Sequence, residues 1–362
     1  MGFGKFLKVT AYLLAGVLVC AGSDVLAQDL FEDEQAASDS ELEWFGDMQL
    51  RYDKVDFPTP RKLERGRGRV RAGFRYLSDS IEFVVAAKLH GGTDDNSDNI
   101  RNLDNEVSND FNLAQLYVSW WANAQTEVRA GKSEFQAVLT PMVWDRDIAP
   151  AGLSLQSRKS VREFDEIEWL VGYYSGEHEL DSKPNLGIAQ VGWLIQPGAP
   201  QWGEITASYL AFDSLNTVSA SGIGRTNSQA GGFLTEDYRM LDLQMAYHWR
   251  SGQFPWVARL DLIHNFGADD ENDGVRAELI GGNAPAGGWE VGVAWQRVQR
   301  DAVLAAFNED DWWFPSRMRG VMPWVSYGFQ EGLWLRGAVF IERRDDQPES
   351  LERILVDLNW EF

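Results

Sequence analysis

The chain ends Arg353-Ile354-Leu355-Val356-Asp357-Leu358-Asn359-Trp360-Glu361-Phe362, and this stretch decides the fold. Successive side chains of an extended strand point to opposite sides. Ile354, Val356, Leu358, Trp360 and Phe362 therefore share one face, and Arg353, Leu355, Asp357, Asn359 and Glu361 the other. A soluble sheet blunts its edge strands with charge, proline or brevity. This strand is long, apolar on one face and aromatic at its end, so it is expected to pair on both sides. The second partner can only be the first strand of the same sheet, which closes the sheet into a cylinder.

The same period recurs upstream. Leu42, Trp44, Gly46, Met48, Leu50 and Tyr52 alternate with Glu43, Phe45, Asp47, Gln49 and Arg51, and Val70, Ala72, Phe74 and Tyr76 with Arg69, Arg71, Gly73 and Arg75. Further runs lie at 81–89, 241–249, 289–295 and 333–341, and no helical period of comparable length competes. A soluble sandwich would alternate too, so the connections must discriminate. Short links at 77–80, 122–124, 251–253, 283–287 and 330–332 alternate with long ones at 53–66, 91–110, 133–154, 213–238, 299–317 and 343–349. Short turns at one end and long loops at the other mark a transmembrane barrel. Keeping the alternation intact requires a weak strand near Leu155–Val161, and the count then reaches about 16, an even number. The expected fold is all-β: a transmembrane antiparallel up-and-down β-barrel with short periplasmic turns and long extracellular loops. Trp120, Trp121, Trp193, Trp202, Trp249, Trp256, Trp312, Trp313, Trp324, Trp334 and Trp360 sit at segment ends, where an amphipathic ring suits a headgroup boundary. A carbohydrate-binding platform of exposed Trp is the rival reading.

The N-terminal end reads as an export signal: Lys5 and Lys8, an apolar run from Val9 to Ala21, then Val25-Leu26-Ala27 before Gln28. That run is shorter than the roughly 20 residues of a helical span. The expected organisation is a signal at 1–27, an acidic periplasmic leader at 28–41, and a barrel at 42–362 with an inward-folded constriction loop near 133–154. Cys20, the single cysteine, lies within the signal, so no disulfide or thiol chemistry is expected of the mature chain. A net charge of -22 opposes nucleic-acid binding, and 16 Trp, 19 Phe and 10 Tyr oppose disorder.

Four features resemble bacterial outer-membrane porins, in particular a porin family of Gram-negative bacteria. They are the terminal Trp360-Glu361-Phe362, Arg129-Ala130-Gly131-Lys132 running into a long loop, Trp144-Asp145-Arg146-Asp147 with Pro150, Gly152 and Leu153, and the strand from Trp289 with its Asp-rich loop up to Asp311. The resemblance implies a water-filled channel for small hydrophilic solutes in the outer membrane, set among lipid and lipopolysaccharide. It also implies a homotrimer, and a terminal Phe362 that, with Ile354, Val356, Leu358 and Trp360, is read by the barrel-assembly machinery. The leader is too short for the N-terminal coiled coil that many related porins carry.

A diffusion pore needs polar side chains that set its radius and field at a constriction. The register turns Arg69, Arg71, Arg75 and Arg129 toward the lumen, with Arg158 beside them. Apolar Val138, Leu139, Met142 and Val143 and the prolines Pro141 and Pro150 suit a loop packed inside the barrel. Asp145, Arg146 and Asp147 would then stand at the constriction, with the arginines facing Asp145 and Asp147 across it and giving a weak anion preference. The competing expectation is that the arginines pair with acidic neighbours and tile the wall. Carboxylates crowd 94–110, 269–273, 309–311 and 345–349, read as extracellular loops that are first of all plainly solvated and, as the alternative, bridge divalent cations to lipopolysaccharide. Asp269 to Gly274 is no EF-hand, because Ile280 stands where its Glu belongs. His90, His178, His248 and His264 lack ligand spacing, and no nucleophile or nucleotide motif is present, so neither catalysis, metal nor cofactor is expected. Phe45, Tyr117, Trp334 and Phe340, the aromatics expected in the lumen, are too dispersed to argue a sugar ladder. A substrate-selective channel for sugar or phosphate and a non-channel β-protein remain as alternatives.

Overall fold

The structure, a computed structural model, describes residues 40–59, 62–93, 111–162, 164–175, 184–213, 215 and 226–362. The export signal, nearly all of the leader, the acidic run at 94–110 and His178 lie outside the described residues.

In chain order the strands are β1 (Glu41–Asp56), β2 (Lys62–Ser78), β3 (Ile81–Gly92), β4 (Phe111–Asn123), β5 (Thr126–Lys132), β6 (Ala151–Ser160), β7 (Glu166–Ser175), β8 (Asn185–Ile195) and β9 (Gln201–Phe212). They continue with β10 (Gln229–Ala230), β11 (Phe233–Leu234), β12 (Arg239–Ser251), β13 (Phe254–Asn265), β14 (Asp273–Gly282), β15 (Gly288–Val298), β16 (Met318–Gln330), β17 (Leu333–Arg344) and β18 (Leu351–Glu361). Sixteen of them form one closed barrel in which each strand pairs antiparallel with its neighbours, and β10 and β11 make a separate hairpin within a long connection. The weak strand expected near Leu155 is present as β6, which begins at Ala151, so the loop before it spans 133–150. The first expected loop is shorter than read: β1 runs on to Asp56 and β2 starts at Lys62. Arg65 and Arg67 belong to that strand because each finds a buried carboxylate, Asp53, inside the barrel.

The seam closes as the terminal strand demands. Met48 stands opposite Trp360, Leu50 opposite Leu358, Tyr52 opposite Val356 and Lys54 opposite Ile354. Gly46 and Phe362 exchange backbone hydrogen bonds of 2.8 and 3.0 Å. Ile354 and Val356 keep 37% and 36% exposure, and they continue a belt of exposed apolar side chains that includes Trp44, Trp120, Val191, Trp289, Val293 and Leu335. A closed barrel satisfies every strand's backbone groups, so an apolar outer face can meet lipid. Four tryptophans expected at the boundary are elsewhere: Trp312 and Trp313 are buried inside, in the connection 299–317, Trp324 is buried on the inward face of β16, and Trp334 lines the interior from β17.

Candidate functional site

The loop after β5 leaves the wall at Gly131. Its φ of 125° strains any L side chain, and a Cβ there would sit 2.3 Å from the Leu116 carbonyl oxygen, so only glycine fits this exit. Residues 133–150 then pack inside the barrel, with Met142, Val143, Trp144 and Ile148 buried. The loop is tied to the wall through Val138, whose carbonyl accepts from Gln190 Nε2 and Gln244 Nε2 at 2.9 Å each, and through the Thr140 hydroxyl, which donates to Asp261.

A second loop meets it. Residues 299–317 also fold inward: Trp144 stacks on Phe307 at 5.2 Å, the Asp145 amide donates to the Phe307 carbonyl at 2.7 Å, and the Glu309 amide donates to the Pro141 carbonyl at 3.0 Å. With Leu210, Phe212, Met240 and Phe340 from the wall, the two loops share one apolar core within the barrel. Arg353 pins the second loop by donating to the Asp310 and Asp311 carbonyls, both at 2.7 Å, and Glu342 accepts from the Trp313 and Phe314 amides at 2.8 and 2.9 Å. The reading of 309–311 as an extracellular acidic loop is therefore corrected. The apolar run Ala302 to Phe307 outweighs the three acids, because it can bury fully against Trp144 and the wall.

The space left open includes three cavities of about 610, 550 and 510 Å³. Gln49, Arg69, Val138, Arg146, Asp147 and Trp334 line both of the first two and form their shared rim.

The predicted site residues divide accordingly. Arg69 pairs with Asp147 of the loop and lies 3.6 Å from Asp47. Arg71 bridges Asp47 at 2.5 Å and Glu134 at 2.7 Å. Arg69 thus reaches one of the two loop aspartates and Arg71 a different loop carboxylate, Glu134, and Arg146 stands exposed beside them. Arg75 instead pairs along the wall with Glu82 at 2.8 Å and Glu43 at 3.4 Å. Arg129 pairs with Glu127 at 2.8 Å and lies over the Tyr117 ring, and Arg158 binds Glu168 near the short-turn end. For these three arginines the wall-tiling arrangement holds: each has a carboxylate on its own or a neighbouring strand, closer than any on the loop.

Asp145 does not face the arginines either. It is 4% exposed, and it offers a carboxylate oxygen within 4.8 Å of those of Glu309 and Asp310. Burial first, then Glu309, Asp147 and Asp310, push its carboxyl well above the usual range. Burial and the carboxylates of Asp311, Asp310 and Asp147 likewise push Glu309 up to about 8. Asp311 behaves oppositely: burial would raise it, but Arg51, Arg336 and Arg353 outweigh that and hold it low. Oxygens this close could share protons or hold a hard cation.

The strand period could have revealed four further residues. Arg51, Asp53, Arg353 and Asp357 lie on the same inward faces as residues singled out from sequence. Arg51 donates to Asp357 at 2.6 Å and to Asp311 at 2.5 Å, and Asp53 is fully buried among Arg65, Arg67 and Arg353. The inward aromatics do not form a sugar ladder: Phe340 is covered by Trp312 at 5.2 Å, and Tyr117 by Arg129. His248 stacks on Trp202 at 3.7 Å, with Glu204 3.5 Å away.

No family model matches this sequence, and no curated protein matches it. Solved structures do. A triple mutant of the Rhodopseudomonas blastica porin superposes with a TM-score of 0.53 at 12% identity, covering 89% of this chain and 100% of that one. A second mutant of the same porin gives 0.53 at 11% identity, with the same coverage. Pseudomonas putida OprB, in a high-pH structure, gives 0.58 at 12% identity, covering 89% of this chain and 94% of its own. At such identities the likeness is one of fold, and the chain is a closed sixteen-stranded antiparallel barrel of the porin type.

Proposed function

We propose that the protein is an outer-membrane channel through which small hydrophilic solutes diffuse. One observation carries this reading: a barrel that is apolar outside and charged inside, narrowed by a loop held to its wall, with 510–610 Å³ spaces left beside that loop. A soluble Trp-rich binding protein would not turn Trp44, Trp120, Val191, Leu262, Trp289 and Ile354 outward together from strands all around a closed sheet.

The same reading includes a weak anion preference. Of the acids beside the shared rim, Asp147 pairs with Arg69, and Asp311 and Asp357 pair with Arg51 and, at 3.7 and 4.0 Å, with Arg336. Glu309, with its carboxyl near 8, is only roughly a tenth ionised at neutral pH. Arg146 has neither an ion pair nor a hydrogen bond among the described residues, so its guanidinium is left open to a passing anion at the rim. Planar-bilayer recording in a salt gradient tests both parts. Discrete conductance steps with a reversal potential on the anion side are expected. A protein that purifies as a water-soluble monomer without detergent overturns the channel, and a cation-side reversal potential overturns the anion preference.

A further inference from the structure

The shared rim is chemically two-sided, and both sides line the same two cavities. Arg146 contributes a guanidinium that lines both cavities and has no partner among the described residues. Trp334, on the inward face of β17, lines both as well, and its ring stacks on no other aromatic among the described residues. On the loop, Val138 is 50% exposed although it faces the interior of the barrel, and Leu139 adjoins it at the same rim. The exposure of Val138 is enforced by the backbone: its amide donates to Gln190 Oε1 at 3.0 Å and its carbonyl accepts from Gln190 and Gln244, so the side chain cannot turn back into the loop core. Gln49 and Asn359, bonded to each other at 3.1 Å, supply the neutral polar floor.

An aqueous constriction that served inorganic ions alone would gain nothing from a part-exposed indole and a half-exposed isopropyl group, both of which cost free energy against water. A sugar would be better served by a stack of rings, and among the described residues Trp334 stacks on no other ring at this rim. We propose that the rim selects amphipathic organic anions: a carboxylate or similar oxyanion on Arg146, and a planar or apolar body against Trp334 and the Val138–Leu139 corner. This rests on the channel reading and names the class of solute that the channel favours. Arg suits the anionic end because its fork accepts two oxygens. Trp suits the other end because a ring face adds contact beyond area alone.

The test uses the full chain refolded in a planar bilayer, with the potassium salts of chloride, acetate, benzoate and phosphate, and with neutral benzyl alcohol. Benzoate is expected to interrupt the chloride current at concentrations at least about fivefold lower than acetate or phosphate, the size of one ring contact. Benzyl alcohol at the same concentrations is expected to do nothing. Arg146→Gln should abolish the benzoate effect. Trp334→Ala, and independently Val138→Asn, should reduce benzoate to the level of acetate, with folding of each variant checked by heat-modifiable gel migration. Equal effects of benzoate and acetate, or an Arg146→Gln channel that still prefers benzoate, overturn the proposal while the channel stands. A membrane that never conducts chloride overturns the channel and this inference together.

Discussion

Asp53→Asn tests how the barrel is closed. Asp53 is fully buried and accepts from Arg65 Nε and a terminal nitrogen at 2.9 and 2.7 Å, from Arg67 at 3.1 Å, and from Arg353 Nε and a terminal nitrogen at 3.0 and 2.9 Å. These arginines come from β2 and β18, the two neighbours of β1, so one carboxylate joins three strands at the seam. The amide keeps the shape and removes the charge, leaving three guanidiniums around a neutral group. Removing one partner of a buried pair costs about 3–5 kcal/mol, because the remaining charge stays desolvated. That corresponds to a roughly hundred- to few-thousand-fold loss in folding equilibrium. Arg65→Met is the control: Asp53 retains Arg67 and Arg353, and the loss should stay below about 2 kcal/mol. Urea titration in detergent micelles, followed by tryptophan fluorescence, measures both. Asp53→Asn within about 0.5 kcal/mol of the parent, or Arg65→Met costing as much as Asp53→Asn, would refute the clamp.

Three further perturbations address the loops and the seam. Glu309 is raised from its usual 4.5 to about 8, so the folded state holds its proton more tightly than the unfolded state; the resulting stability is present below about 4.5 and is lost as pH rises through about 8. Protease resistance of 299–317 should therefore decline progressively between about pH 4.5 and 8 and level off above that, and a Glu309→Gln protein with the same profile would count against this. Gly46→Val would place a Cβ 2.6 Å from the Phe362 ring and 2.7 Å from the Arg71 carbonyl, and should destabilise the seam by about 1–3 kcal/mol in the same urea titration. Trp144→Ala removes the ring between Phe135 at 4.3 Å and Phe307 at 5.2 Å; it should weaken the joint core of the loops by about 3–5 kcal/mol and raise single-channel conductance, which an unchanged conductance would contradict.

The strand period alone was enough to place most of the wall. A two-residue repeat admits only two faces, so the outward Ile354 and Val356 and the inward Arg69 and Arg71 follow from counting, and an apolar strand at the chain end demands a partner. Even the faint β6 followed from parity, since a closed antiparallel barrel joined by alternating short and long links needs an even number of strands. Loops carry no such period. The sequence assigned Glu309, Asp310 and Asp311 to solvent by their charge, whereas the fold brings Ala302–Phe307 against Trp144 across more than 150 residues of chain and draws the acids in with them. Which arginine meets which carboxylate is likewise a matter of barrel shear and loop path: Arg69 reaches Asp147, Arg75 and Arg129 find acids on the wall, and Asp145 ends among carboxylates. Facing direction is a local property of the backbone and can be read from a segment. Proximity between distant segments is a property of the closed whole, and only the tertiary structure decides it.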